Sequence, residues 1–251
     1  MKIALLFGIA VAILLVMTWI GNPFADDVES PAKAASSWAS PPPAGRVDPP
    51  LPSGFPSQEF PPPLVEVPKG QPQPVPTRFG LTYTVPSSDG WRPSNDTVIG
   101  WSEKDGSIIA GYGAVSDYGY RYCPQNKSST LAAVGVAGRN GIDIDAAARE
   151  EIGKAERIFT HNGTGRRPQV DIRGPSQFEI SGRPAVRYTA VVTGLYQEHS
   201  CDPTELEFDI VATPAYFTSE VAVFMFKHVI GSAKALTSSD VDKIVKSLQR
   251  T

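Results

Sequence analysis

The sequence predicts an α+β domain, an antiparallel sheet with two helices packed on it, carried behind a transmembrane helix and a disordered proline-rich linker. Three observations lead there. An uncharged apolar run fills Ile3 to Ile20; the composition then turns to Pro, Gly, Ser and Gln as far as Thr77; past Arg78, short β-rich stretches follow one another with only two helical periods among them. Strands in hairpin-like succession, without regular β-α alternation, belong to an antiparallel sheet with helices laid on it. The chain therefore divides into residues 1–21, 22–77 and 78–251.

At 1.5 Å per residue the run from Ile3 to Ile20 spans roughly 27 Å as a helix, close to the hydrocarbon core of roughly 30 Å. Lys2 precedes it and Asp26, Asp27 and Glu29 follow, so the positive-inside bias puts the N-terminus in the cytoplasm and the domain outside. Trp19 falls at the interfacial belt. A cleaved signal peptide is the rival reading, but its apolar stretch is usually about 7 to 15 residues, and the first small-x-small triplet, Ala32-Lys33-Ala34, lies far downstream. The expectation is an uncleaved signal anchor in a single-pass protein of the cell membrane, touching the bilayer through residues 3–21. Either reading places the domain outside the cytoplasm.

Residues 22–77 show neither helical nor strand periodicity. Such a composition buries too little apolar surface to offset its ordering entropy. Repeated proline favours polyproline II at about 3.1 Å per residue, a stalk reaching on the order of 100 Å. The alternative, a ligand for SH3- or WW-type modules, lacks partners outside the cell.

From Arg78 onward, 19 Lys and Arg face 20 Asp and Glu, a net charge near −1 with no basic run. A nucleic-acid partner is therefore not expected. "FGLTYTVP" alternates and stops at Pro86. "TVIGWSEKDGSIIAGYGAV" reads as a hairpin about the two-residue turn Asp105-Gly106, and Gly111 and Gly113 suggest a bulge or a close backbone approach. "SQFEISGRPAVRYTAVVTGLY", "LEFDIVATPA" and "SEVAVFMFKHVI" are further strands, with a turn at "SGRPA". "DIDAAAREEIGKAERIF" places Ile144, Ala148, Ile152, Ala155 and Phe159 on one helical face, acids at its start, Lys154 and Arg157 at its end. In "TSSDVDKIVKSLQ", Ser238 or Ser239 can cap, and Val241, Ile244, Val245 and Leu248 form the buried stripe.

"YTVPSSDGW", ending at Trp91, then a hairpin, a long helix, a meander and a short C-terminal helix, resembles the PsbP-like fold. The whole layout is similar to an actinobacterial family of single-pass membrane proteins of unknown function. Its members have an N-terminal transmembrane segment, a Pro-rich stretch, and a domain with one cysteine after the third strand and another in the later meander. Cys123, Cys201 and the C-terminal "DVDKIVKSL" match that pattern, and the resemblance spans roughly residues 78 to 249. It implies architecture and brings no catalytic residues.

Two cysteines in an oxidising compartment read first as a disulfide, Cys123 to Cys201. Closing a loop of about 79 residues is worth at most about 4.5 kcal/mol by chain entropy. The rivals are free thiols, a Cys–His pair using His199, or a zinc site recruiting His161 and His228 without C-x-x-C spacing. No G-x-S-x-G, H-E-x-x-H or P-loop is present, so no catalytic residue, metal ligand or cofactor is assigned. "HNGTGRRP" at 161–168 is either an anion-cradling nest or a solvated turn. Glu150 and Glu151, adjacent on a helix, should point apart. Val221, Val223 and Met225 read as core. The candidate binding surface is Tyr118, Tyr120, Arg121 and Tyr122, with Tyr112 nearby, because Tyr and Arg suit interface hot spots and stacking; otherwise alternate tyrosines simply cover the sheet. The expected function is a membrane-anchored extracytoplasmic binding module for an envelope protein or glycan. A structural or accessory subunit of an envelope complex is the alternative, and a hydrolase of envelope material the more distant one.

Overall fold

A computed structural model describes residues 62–87 and 90–251 of the protein; the anchor at 1–21 and the linker as far as residue 61 lie outside the described residues. In chain order the elements are β1 (Gln73–Pro76), β2 (Leu81–Val85), β3 (Trp91–Arg92), β4 (Ile99–Ser102), β5 (Ile108–Tyr118), β6 (Ala132–Arg139), α1 (Ile144–Ile152), α2 (Ala155–Phe159), β7 (Gln169–Ile180), β8 (Arg183–Thr193), β9 (Glu205–Pro214), β10 (Val221–Val229), α3 (Ser238–Lys246) and β11 (Gln249–Arg250). The main sheet runs β3-β5-β6-β10-β9-β8-β7 with β4 paired on β5, and β1-β2-β11 form a small second sheet. Every pairing is antiparallel.

Strand alternation sorts β10 onto two cores. Val221, Val223 and Met225 face α1 and α2, meeting Ala148, Ile152 and Ile158. Ala222, Phe224 and Phe226 face the small sheet and α3, meeting Leu81, Tyr83, Ile244 and Val245. All of these side chains are buried. A strand with two apolar faces needs cover on both, so β10 lies mid-sheet between β6 and β9.

Several expectations change in detail. The long helix is broken into α1 and α2 at Gly153, whose N–H closes α1 on the Arg149 carbonyl. Glycine is a poor helix former, and the bend buries Ile158 while Phe159 packs edge-on against Trp101 and Phe208. The Asp105-Gly106 turn spans three residues, because Glu103 bonds to Ser107 and Gly106 takes φ +85°, a glycine bulge. The turn at "SGRPA" is a two-residue hairpin, Ser181 and Gly182 both at positive φ.

The domain begins before Arg78. Strand β1 lies inside the stretch read as linker, and Val75 is fully buried. Proline survives there because β1 is an edge strand. The Thr77 N–H donates to Leu81, so N–H groups at odd positions point toward β2, and Pro74 and Pro76 turn their nitrogens outward.

Helix α3 is capped by Thr237 instead of Ser238 or Ser239. Thr237 Oγ1 accepts the Asp240 N–H at 3.2 Å, and the Asp240 carboxylate accepts the Thr237 N–H at 3.1 Å. Replacing Thr237 by Ala is expected to lower the unfolding free energy by about 1 kcal/mol in urea titrations. The Asp240 carboxyl is held down from 3.8 to about 2, by Lys243 first and then by Thr237. A carboxylate lowered in the folded state stabilises it above the unfolded pKa and loses that effect as it protonates. The stability gap between wild type and Asp240→Asn should thus be full above about pH 4 and close toward pH 2.

Candidate functional site

Strand β5 pairs with three strands, with β3 at Asp117 and Tyr118 and with β4 and β6 along its length, and it bends between the last two. Ile108–Tyr112 pair with β4; Gly113–Tyr118 pair with β6, from Gly113 opposite Val136 to Tyr118 opposite Ala132. At the junction Ala114 and Val115 stand opposite the single residue Gly135, and Ala114 has φ +47°, a left-handed conformation that costs an L-residue about 1–2 kcal/mol. Buried groups hold the bulge. The Tyr83 hydroxyl donates to the Ala114 carbonyl at 2.7 Å and lies 2.8 Å from Ser116 Oγ, and burial pushes the Tyr83 phenol well above its usual pKa. The Val115 N–H donates to the Thr97 carbonyl at 3.1 Å, and the Ser94 N–H to Ser116 Oγ at 3.2 Å.

Past the bulge the sheet splits. Ala137–Arg139 of β6 pair only with β10, while Ile108–Tyr112 of β5 pair only with β4. A groove of about 400 Å³ lies over the split, with Gly111, Gly113, Val136 and Gly138 in its floor and Phe79 and Val98 on its walls. A Cβ on Gly138 would run 2.5 Å from Phe79 Cε1 and into Ser219 Oγ, so only glycine fits there. A Cβ on Gly113 would meet nothing within 4 Å: the groove is open above it. Of the two glycines, Gly113 borders the bulge, while Gly111 pairs in regular register with Gly100.

Cys123, Cys201, Tyr118, Tyr120, Arg121 and Tyr122, singled out in the sequence, fall outside the groove. A disulfide joins Cys123 to Cys201, which removes both thiols from nucleophilic or metal chemistry. Tyr118 packs against Trp91, ring centroids 5.5 Å apart. Tyr120 is 37% exposed, with the Arg92 guanidinium 3.3 Å and the Arg121 guanidinium 5.0 Å from its ring centre. Tyr122 is half-buried, and Arg121, at φ +59°, is exposed. Tyr112 does not join them; it is buried on the helix side, its hydroxyl donating to Glu151 Oε1 at 3.0 Å. Glu150 and Glu151 converge on one partner, since Arg139 binds both carboxylates. In the 161–168 turn the nest amides are spent internally, Thr164 N–H on His161 Nδ1 and Gly165 N–H on the His161 carbonyl.

A second cluster escaped the sequence reading. Glu207 and Asp209 on β9, Arg187 on β8, His228 on β10 and Asp242 on α3 meet on the α3 side of the sheet, with Glu207 directly opposite His228 in the strand register. Arg187 Nε donates to Asp209 Oδ1 at 2.9 Å and its Nη1 to Asp242 Oδ1 at 2.5 Å. The Thr189 hydroxyl also donates to Asp209 Oδ1. His228 is fully buried, and desolvation pushes its imidazole pKa down. The available signal was two acids at alternate positions of the otherwise apolar "LEFDIV", which a strand places on one face.

Residues 65–251 match the family model described as "Domain of unknown function (DUF8017)". The chain belongs to that family. The DUF8017 match begins ahead of β1, where the described fold begins too. No curated protein is significantly similar to the chain in sequence. Among solved structures, the DUF8017 chain is similar to cyanobacterial PsbP (CyanoP) from Synechocystis sp. PCC 6803, at 11% identity and a TM-score of 0.41, over 69% of this chain and 88% of that one. It is also similar to LpqN of Mycobacterium tuberculosis, described as involved in cell envelope biogenesis, at 11% identity and a TM-score of 0.39, over 68% and 83% of the two chains. A protein of Bacteroides thetaiotaomicron VPI-5482 is similar at 12% identity and a TM-score of 0.33, over 73% and 49%.

The bulge can be tested through Tyr83. Tyr83→Phe removes one oxygen and leaves the buried Ala114 carbonyl without that donor, so unfolding free energy should fall by about 1–3 kcal/mol in urea titrations. Superimposable titrations would show that the hydroxyl does not hold the bulge.

Proposed function

We propose that the DUF8017 domain is a non-covalent binding module outside the cytoplasm that takes an extended segment of a cell-envelope protein into the groove between β5 and β6. The observation that carries this reading is the split in the sheet, where Ile108–Tyr112 and Ala137–Arg139 each pair on one side only. Strand edges with free N–H and C=O groups are templates for a further strand, and backbone hydrogen bonds would supply affinity. The glycine floor lets a backbone approach closely, and Phe79 and Val98 offer apolar contact to alternate side chains. Display outside the membrane follows from residues 3–21 as a single-pass anchor and the following proline-rich segment as a stalk. The disulfide supports that placement, because such bonds persist in oxidising compartments. An accessory subunit of an envelope complex would use the same groove on a permanent partner. We assign no reaction and no cofactor.

Val98, 72% exposed at the groove wall, is the place for a photo-cross-linking benzoylphenylalanine in the full-length chain, irradiated in intact cells. One dominant adduct with another envelope protein is expected, mapping to an extended segment of it. Gly113→Phe should abolish the adduct at an unchanged Tm, since a side chain there fills the groove and meets no neighbour at its Cβ. Tyr120→Ala/Arg121→Ala should leave the adduct in place. An adduct indifferent to Gly113→Phe, or lost only with Tyr120 and Arg121, overturns the groove as the site. Protease added to whole cells should remove the domain; protection until lysis would overturn its placement outside.

A further inference from the structure

The cluster beneath α3 contains polar atoms whose burial nothing in the fold offsets. His228 is 0% exposed, yet neither ring nitrogen has a hydrogen-bond partner, and Asp209 Oδ2 is also buried without one. His228 Nε2 comes to 3.2 Å from Glu207 Oε2 without making a hydrogen bond. A buried polar atom left unpaired costs about 1–3 kcal/mol, so three in one place point to a missing partner. One ligand atom each from Glu207, Asp209 and His228 lie within 4.8 Å of one another.

We propose that Glu207, Asp209 and His228 bind a divalent first-row transition-metal ion, Zn²⁺ or Mn²⁺. This inference is independent of the groove and of its partner. Charge favours it: the carboxylates of Glu207, Asp209 and Asp242 stand against the single Arg187 guanidinium, an excess of two negative charges that one divalent ion neutralises. Donor chemistry narrows the choice, because an imidazole nitrogen disfavours Ca²⁺ and Mg²⁺, while two carboxylates and no thiolate disfavour softer ions. Bonds of about 2.0–2.2 Å are reached if each ligand atom closes in by less than about 1 Å.

The surroundings orient the ligands. Arg187 Nε and the Thr189 hydroxyl occupy Asp209 Oδ1, which leaves Oδ2 for the ion. The Ser238 hydroxyl donates to Glu207 Oε2 at 3.0 Å from the start of α3. Outer contacts of this kind fix ligand geometry and commonly change metal affinity about 10–100-fold when removed. The Glu207 side chain, 19% exposed, gives the ion a way in.

The test uses the full-length chain in detergent, stripped with a chelator, then dialysed separately against Zn²⁺, Mn²⁺ or Ca²⁺. About one Zn²⁺ or Mn²⁺ should be retained per chain after desalting, with a rise in Tm that Ca²⁺ does not reproduce. Glu207→Gln and Asp209→Asn should each weaken binding at least tenfold. Asp242→Asn, whose carboxylate serves Arg187, should stay within a few-fold of wild type. If Asp209→Asn fails to fold, Glu207→Gln at the rim still decides the matter. No retained metal, or retention unchanged in Glu207→Gln, overturns the proposal.

Discussion

Strand β10 has no face for solvent, and the rest of the domain is arranged to satisfy that constraint. Its even-numbered apolar residues need one roof and its odd-numbered ones another. The small sheet and α3 supply the first; the bent helix α1–α2 supplies the second. Because the small sheet draws its strands from the two ends of the domain, Gln73–Pro76 and Gln249–Arg250, the termini of the fold are tied together over the same core. A proline-rich segment thereby becomes structural at its last few residues, where burying Val75 offsets the cost of ordering the chain.

Both candidate sites lie where this double burial reaches its limits. Toward β5 the sheet cannot stay paired, because one strand must follow β6 and then turn away to β4. A residue in the left-handed region and four hydrogen bonds from neighbouring segments keep that parting in place. At the other limit, the two-sided apolar pattern of β10 gives way to Lys227 and His228, and the opposing acids of β9 leave a polar cluster inside an apolar layer. Open backbone edges suit a strand, and unpaired buried ligand atoms suit an ion.

Much of the architecture was legible in the sequence. The β-rich apolar run in "SEVAVFMFKHVI", the glycine signals at 106 and 182, and the period of "DVDKIVKSL" depend on local backbone preference, and each yields the element it suggests. Gly113 marked the edge of the bulge. The split itself was not visible, because which partner each half of β5 takes is a matter of long-range register. Strand β1 was missed since proline argues against a strand until its edge position is known. The acid–histidine cluster was missed because its members span residues 187 to 242 and meet only through the order of β8, β9 and β10. The tyrosines before Cys123 stood out in composition alone; packing divides them among a Trp91 contact, an arginine contact and a half-buried position.

The central claim is that β5 and β6 part at Gly113 and leave two open edges in the unliganded domain. Residue-resolved hydrogen exchange on the full-length chain addresses it without any partner. Amides of β10 and of β6 residues 132–136 should exchange last. In 108–112 and 137–139, roughly half of the amides, those alternately aimed into the gap, should exchange orders of magnitude sooner. Uniform protection along the whole of β5 and β6 would mean that the sheet is closed there and would contradict the account.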